Sequence, residues 1–368
     1  MVVGTFLKAD RYQQLLDANP DLRIPTVIQV PIDGGDDDRD GVIEFEDFLA
    51  LATDAARTEA DARAAKVQPD DVSDILFTSG TTGRSKGAIT AHRQSIAVAK
   101  SWGGECAEVT ADDNFLIISP FFHTFGYKAG ILVCLLNGAT IVPVSVFNID
   151  DTLALVSSEK ISILPGAPPT IYQTILDHPR RSEYDLSSLR IAITGAAPVP
   201  VALVERMQAE LFDAVLTAYG LTEAVVATMC RTDDDPVTVS TSSGRATADF
   251  EVKIGDQGEI LLRGPNVMLG YLDDPESTAK AIDADGWLHT GDVGTLDERG
   301  YLDITDRLKD MYVSGGFNVY PRRDRGHVGS PARRPRVCCH RHPPITGWER
   351  WAASTSPNST VPASPKSR

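Results

Sequence analysis

The sequence predicts an α/β fold, a largely parallel sheet covered by helices with a small antiparallel β subdomain after it, and two textures in the chain predict it. From Asp74 to about Thr217, short apolar runs alternate with amphipathic stretches at the spacing of βα units. From Pro236 to Thr305 the runs become short and alternating, broken by Gly and Asp pairs. In the first stretch, strands are predicted at ILFT (75–78), FLIIS (115–119), TIVPV (140–144), ISILP (161–165), RIAIT (190–194) and AVLTA (214–218). These continuous apolar runs suit strands buried on both faces. Helices are predicted over 91–102, 128–137, 150–159, 169–177 and 199–211, whose apolar positions form one stripe. In the second stretch VTVS, FEVKI, GEILLRG and GYLDIT read as strands. The Ala-rich charged segment 52–66 reads as a linker or helix, and no internal repeat is present.

Composition narrows the function classes. The 368 residues carry a formal charge of −16, 42% hydrophobic residues, 29 Gly and 23 Pro, the profile of a globular chain long enough for two domains or more. Residues 322–368 hold 10 Lys/Arg against 2 Asp/Glu, which leaves the preceding 321 residues with a net charge of −24. So acidic a body repels nucleic acid. No apolar run approaches the roughly 20 residues of a membrane span, and the start lacks a secretory pattern, so the expected location is the cytosol. Cys106, Cys134, Cys230, Cys338 and Cys339 include no C-x-x-C pair, which supports neither a zinc site nor a disulfide framework.

The strongest local signal is TSGTTGRSKG (78–87), directly after ILFT. Its glycines let the backbone turn tightly toward an anion, Thr78, Ser79, Thr81, Thr82 and Ser85 add hydroxyls, and Lys86 adds a positive charge. That is a phosphate cradle. It is not a Walker A loop, because Lys86 is followed by Gly87 rather than Ser or Thr. A second motif, DDDRDGVIEFED (36–47), fits a calcium-binding EF-hand loop at Asp36, Asp38, Asp40, Gly41 and Ile43, with Asp47 in place of the bidentate Glu. The strand pattern TVIQVP precedes it where an EF-hand needs a helix, so a solvated acidic loop between a strand and a short helix is expected.

TSGTTGRSKG, FFHTFG (121–126), TGAAP (194–198), YGLTE (219–223), GEILLRG (258–264), GWLHTGD (286–292) and DRLKD (306–310) occur in one order along the chain. In that order and spacing the chain resembles the adenylate-forming superfamily of acyl-CoA synthetases, peptide adenylation domains and luciferases over about residues 74–321. Within it, DILFTSGTTGRSKG, PFFHTFGYKAGIL, LTAYGLTEA and LKDMYVSGGFNVYP look most like the actinobacterial acyl-CoA ligases of steroid catabolism, which activate a methylhexahydroindanedione propionate. The resemblance implies ATP, Mg²⁺ and coenzyme A as cofactors and a small carboxylic acid as substrate, with a fatty or aromatic acid as the alternative.

The resemblance also implies roles. The loop with Thr78, Ser79, Gly80, Thr81, Thr82, Gly83 and Lys86 would hold the β- and γ-phosphates, Thr222 the α-phosphate, and Glu223 the Mg²⁺. Gly195, Ala196 and Ala197 would lie against adenine, with Tyr219 and Gly220 on its other side. Asp292 would accept both ribose hydroxyls and Arg307 would contact the ribose. His123 would place the acyl carboxylate, and Phe122, Phe125, Gly126 and Gly130 would line the acyl pocket, Gly130 leaving room for a bulky acid. Lys309 would be the hinge of a swinging C-terminal subdomain, and Gly315, Gly316 and Asn318 would line a pantetheine tunnel. The implied organisation is a partial N-terminal segment and linker (1–73), an AMP-binding α/β core (74–235), a β subdomain (236–305), a hinge and the start of the C-terminal subdomain (306–321), and a tail (322–368).

The tail departs from the family. After NVYP relatives continue with Ala-Glu-x-Glu toward the adenylation lysine, whereas this chain reads RRDRGHVGSPARRP. Codons for Arg-Arg-Asp-Arg, read from their second base, permit Ala-Glu-Ile-Glu. The segment Pro344 to Thr355, read from the third base, permits the family's C-terminal signature, with glycines forced at Trp348 and Trp351. Residues 322–368 are therefore expected to be frameshifted, disordered translation, a true basic tail being the alternative. Only about 73 residues precede the phosphate loop, fewer than in relatives, so exposed apolar surface and marginal stability are expected. Both half-reactions are expected to be impaired in this chain, which leaves a nucleotide-binding remnant as the non-enzymatic alternative.

Overall fold

The computed structural model describes residues 2–3, 5–6, 9–30, 39, 41–78, 85–195, 198–247, 249–308, 312–314 and 317–319. The chain divides into two compact units, Met1–Ile304 and Thr305–Arg368.

Five parallel strands form the centre of the first unit: β3 (Asn114–Ile117), β4 (Thr140–Pro143), β5 (Ile163–Ala167), β6 (Ile191–Thr194) and β7 (Ala214–Tyr219). Two short antiparallel strands, β8 (Thr228–Met229) and β9 (Arg245–Ala246), extend one edge, giving the order β9-β8-β7-β6-β5-β3-β4. Register is set by apolar residues facing one another, Ile163 opposite both Phe115 and Ile191, and Ile191 opposite Ala214. The connections are helices: α3 (Ile149–Ser158), α4 (Pro169–Leu176) and α5 (Val201–Glu210). Each buries the stripe its sequence period dictates, Leu153 and Val156, then Ile171, Tyr172 and Ile175, then Leu203, Val204 and Met207. Burial of such side chains stabilises by about 1.5–3 kcal/mol each. Tyr172 is fully buried because its hydroxyl is satisfied, donating to the carbonyls of Leu164 (2.7 Å) and Ile193 (3.0 Å).

Two helices in this layer depart from a plain α period. α1 (92–106) turns from α into π-helix at Ala99, and α2 (124–137) is π-helical over Tyr127–Leu132. They pack closely where Gly103 faces Val133, since a Cβ at Gly103 would lie 2.5 Å from the valine methyl.

ILFT is a strand, but not of the parallel sheet. It belongs to β1 (Val72–Thr78), which pairs antiparallel with β2 (Lys86–Ala91) and, through it, with β12 (Gly270–Tyr271) in the order β12-β2-β1. The described ends of the motif, Thr78 and Lys86–Gly87, therefore lie in two paired strands rather than in a strand and a helix. KGAITA is the residue run that forms the unexpected partner strand.

The antiparallel subdomain is present as β10 (Glu251–Ile254), β11 (Glu259–Arg263), β13 (Leu288–Leu296) and β14 (Leu302–Arg307), in that sheet order, with residues 302–304 of β14 in the first unit. VTVS is not one of its strands. It lies in α6 (Pro236–Thr241), because the Asp235 side chain accepts from the N–H groups of Val237 and Thr238 and Pro236 sits at the first helical position.

Near the N-terminus, Val2–Val3, Val27–Gln29 and Val42–Glu44 form a parallel sheet, followed by the short helix Phe45–Ala50 and the exposed helix Asp54–Ala64. Val27–Gln29 within TVIQVP is thus a strand. Asp36, Asp38 and Asp40 lie outside the described residues, and no cluster of three His, Cys, Asp or Glu able to hold a metal occurs among the described ones. No helix among them is long and apolar enough to cross a membrane. Exposed apolar side chains include Phe48, Leu51, Phe77, Phe122 and Leu135.

The second unit, by itself, contributes the hairpin β15 (Tyr312–Ser314) and β16 (Phe317–Val319). Residues 322–368 lie outside the described residues.

Candidate active site

In open α/β sheets, ligands sit beyond the carboxyl ends of the strands, where the strand order reverses. Here the order reverses between β3 and β5, and the segments leaving β3, β6 and β7 carry His123, Gly195 and the Tyr219–Glu223 turn.

After β7 the chain turns abruptly. A Cβ at Gly220 would lie 1.7 Å from the Val225 carbonyl oxygen, so only glycine fits. The same turn drives Val225 to φ +64°, a left-handed conformation that a β-branched residue adopts at a cost on the order of 1–3 kcal/mol. Thr222 and Glu223 sit in this turn. The Glu223 carbonyl accepts from the Met268 N–H at 2.7 Å, and its Oε1 accepts from the Tyr271 hydroxyl at 2.7 Å. Burial and the adjacent Glu223 carboxylate push the Tyr271 phenol above its ordinary range.

Tyr271 also reaches the hairpin. It pairs with Ala88 across β12 and β2, and the Lys86 ammonium stands 4.8 Å from its ring centroid. Thr78 closes the same end of the hairpin, paired with Lys86 and donating its hydroxyl to the Lys86 carbonyl at 3.5 Å. Ser79, Gly80, Thr81, Thr82 and Gly83 lie outside the described residues, as do Ala196 and Ala197. Gly195 leaves β6 with space for a Cβ only to 3.3 Å from the Ala218 carbonyl.

Asp292 is delivered by a bulge. Opposite β11, Glu259 faces Val293 and Leu261 faces His289, so three residues of β13 stand against the single residue Ile260. Gly291 takes φ +71° within it, its N–H donates to Glu259 Oε1 at 3.0 Å, and Thr290 Oγ1 donates to the Ile260 carbonyl at 2.8 Å. The bulge brings Asp292 Oδ2 to the Tyr219 hydroxyl, which donates to it at 2.7 Å. Lys86 and Glu223 thus meet at Tyr271, while Asp292 joins the strand end that begins the Glu223 turn.

On the other side of the sheet end, His123 caps α2, its Nδ1 accepting from the Phe125 N–H at 3.1 Å. That bond places any ring proton of the neutral imidazole on Nε2, and desolvation lowers the imidazole's proton affinity, although the residue keeps an exposed edge. Phe125, Gly126, Gly130, Ile117, Ser119 and Pro165, among others, close around a crevice here with no room for a water molecule. Phe122 is not among its lining residues and is 83% exposed. At Gly130 the place of a side chain is taken by Ile117, 3.0 Å from where a Cβ would stand, so the glycine there serves close packing of α2 on β3 rather than open space. Gly126 is likewise forced, a Cβ falling 2.2 Å from the Pro120 carbonyl oxygen. Phe125 stacks on the buried Trp102 with centroids 5.9 Å apart.

Two features of the site region went unread in the sequence. One is Tyr271. The other is the ion pair between Lys128, fully buried in α2, and Asp74 on β1, at 2.9 Å. That contact is close but off the hydrogen-bonding direction, and Asp74 Oδ2 takes its hydrogen bonds from Ser73 (2.5 Å) and Ser95 (3.1 Å). Burial lowers the Lys128 ammonium's proton affinity, opposed by Asp74. A lone lysine in an apolar helix and a lone aspartate heading an apolar strand were the available signals.

Of the remaining expected site residues, Arg307 ends β14 within the second unit, its N–H on Asp306 Oδ1 at 2.9 Å. Asn318 lies in β16 opposite Val313. Lys309, Gly315 and Gly316 lie outside the described residues.

The hairpin of β1 and β2, the glycine-forced turn carrying Thr222 and Glu223, and the bulge-borne Asp292 stand on an α/β scaffold, and the chain belongs to the AMP-binding enzyme family, whose model matches residues 9–272. The chain is 73% identical over 322 residues to a 3-[(3aS,4S,7aS)-7a-methyl-1,5-dioxo-octahydro-1H-inden-4-yl]propanoyl:CoA ligase of Rhodococcus jostii, covering 87% of this chain and 62% of that protein. It is 60% identical over 321 residues to the ligase of the same name from Mycobacterium tuberculosis, covering 86% and 61%. The chain thus spans about three fifths of the length of these curated relatives. Among solved structures, ATP-bound MatB from Rhodopseudomonas palustris superposes with a TM-score of 0.68 at 28% identity, covering 88% of this chain and 67% of that one.

Proposed function

We propose that the protein is a cytoplasmic AMP-forming acyl-CoA ligase for a bulky bicyclic propionate of the kind named in its two actinobacterial relatives. Its 73% identity to the Rhodococcus ligase across 87% of the chain carries the reading. In the first half-reaction a carboxylate oxygen of the acid displaces pyrophosphate from the α-phosphorus of ATP, giving an acyl-adenylate. In the second a CoA thiolate attacks the acyl carbon, a thioester forms and AMP leaves.

The chain's residues divide this work. Thr78, Lys86 and the loop between them neutralise the β- and γ-phosphates, and Thr222 orients the α-phosphate. Asp292 offers acceptor oxygens at one point for the two ribose hydroxyls, Tyr219 fixing its carboxylate. His123, neutral and held by the Phe125 N–H, donates from Nε2 toward the acyl carboxylate. Glu223 suits Mg²⁺ as a hard oxygen donor whose Oε1 is tied to Tyr271 and whose Oε2 makes no hydrogen bond or ion pair among the described residues. When bound, Mg²⁺ supplies stabilisation of the charge that moves onto pyrophosphate.

A second reading is favoured by residues 322–335, where RRDRGHVGSPARRP stands in place of the Ala-Glu-x-Glu run that the family resemblance leads one to expect. In it the chain binds nucleotide and acyl-adenylate without turnover. Equilibrium binding of ATP and of a non-hydrolysable adenylate of the bicyclic propionate, paired with ATP–pyrophosphate exchange, separates the two. Exchange dependent on that acid supports the ligase, binding without exchange supports the remnant, and absence of binding contradicts both. Tighter binding of a fatty or coumaroyl adenylate would overturn the substrate assignment alone.

A further inference from the structure

We propose that Tyr271 is a positioning residue that holds the Glu223 carboxylate ready for a divalent cation while keeping the Lys86 ammonium off it. The proposal rests on the reading of this site as one for a nucleotide and its metal.

The geometry is that of a spacer with two different faces. Through its edge, the Tyr271 hydroxyl donates to Glu223 Oε1 at 2.7 Å. A neutral donor fixes the carboxylate's orientation without cancelling its charge, and leaves Oε2 for a cation. Through its flat face, the ring attracts the Lys86 ammonium, 4.8 Å from the centroid. Among the described residues Lys86 makes no ion pair. The ammonium is drawn to the ring face and, electrostatically, to Asp274, so it does not compete with a cation for Glu223. Tyr271 is itself held firmly: it pairs with Ala88 in the sheet, its N–H donates to Thr278 Oγ1 at 2.8 Å, and Gly270 beside it adopts φ +152° with no room for a Cβ against Thr278.

Three consequences separate positioning from mere packing. Tyr271→Phe keeps the ring over Lys86 and removes only the hydroxyl. It should leave the affinity for ATP in the presence of a chelator unchanged and reduce the gain in ATP affinity on adding Mg²⁺ by about 10-fold, in the range expected for loss of a ligand's supporting hydrogen bond. Tyr271→Leu removes both faces and should also alter the metal-free affinity. Glu223→Gln should abolish the Mg²⁺ gain, and Tyr271→Phe added to it should do nothing further.

The experiment is calorimetric titration of the full chain with ATP, with Mg²⁺ and with chelator, alongside Mn²⁺ binding followed by electron paramagnetic resonance. A Tyr271→Phe protein of unchanged melting temperature that keeps the wild-type Mg²⁺ gain overturns the proposal. If Tyr271→Phe does not fold, the arm with Glu223→Gln alone decides, a retained Mg²⁺ gain overturning it. Wild-type chain that binds ATP with no Mg²⁺ dependence refutes instead the reading of the site on which the proposal stands.

Discussion

The two ends of the parallel sheet are built on opposite principles. At the amino ends of β3, β5 and β6, Asp113 is almost fully buried and surrounded by donors: Arg190 through Nε at 2.7 Å and its terminal nitrogen at 2.5 Å, Ser162 at 2.7 Å and the Thr110 N–H at 2.8 Å. The hydrogen bonds satisfy the carboxylate and clip three strand starts together. At the carboxyl ends the acidic side chains of Glu223 and Asp292 instead meet the hydroxyls of Tyr271 and Tyr219. One end ties its buried carboxylate to charged and neutral donors that clip strands together, and the other sets its carboxylates against neutral tyrosine hydroxyls, the pattern expected where a sheet is anchored at one end and binds at the other.

The largest effect should come from breaking the anchored end. Asp113→Ala leaves Arg190 without its carboxylate and should cost about 3–5 kcal/mol, read as a lower urea midpoint. The same group predicts a pH dependence. Burial would raise the Asp113 carboxyl, but the bonds from Arg190, Ser162 and Thr110 outweigh it and hold it below its ordinary 3.8. Its contribution is therefore complete above the unfolded value and is lost as pH falls through the lower folded value, so wild type should lose stability over an acid range where Asp113→Asn is flat.

Lys128→Met should cost less, about 2 kcal/mol, because Asp74 keeps its two serine hydrogen bonds and a little solvent. At the carboxyl end the order reverses: Asp292→Asn should weaken ATP binding by about 10-fold, roughly 1.4 kcal/mol, with the melting temperature scarcely moved. The smallest effect belongs to His123. Burial favours its neutral form, so its contribution to stability is present above pH 6.5 and falls as pH drops toward the lowered folded value, where a protonated Nδ1 can no longer accept from Phe125. The corresponding His123→Asn protein should lack that slope.

What the sequence revealed follows from range. The parallel strands were legible because strands covered on both faces read as unbroken apolar runs, and the order of the motifs already implied one nucleotide site. VTVS misled because its alternation fits a strand, although Asp235 and Pro236 before it are a helix start. The placement of ILFT misled because its partner KGAITA was absorbed into a loop and a helix. The helices predicted over 91–102 and 128–137 are those of α1 and α2, whose ends lie further out, at 106 and 124. Tyr271 and its contact with Glu223 stayed hidden because the two are 48 residues apart, and nothing local in a Gly-Tyr pair announces a carboxylate.

In the proposed function, Lys86, Glu223 and Asp292 surround one nucleotide. A crystal structure of the chain soaked with a non-hydrolysable ATP analogue and Mg²⁺ tests it most directly. The ribose hydroxyls should lie on Asp292, the metal on Glu223 and the terminal phosphates within reach of Lys86. Analogue bound elsewhere, or a saturated crystal with that cleft empty, would contradict it.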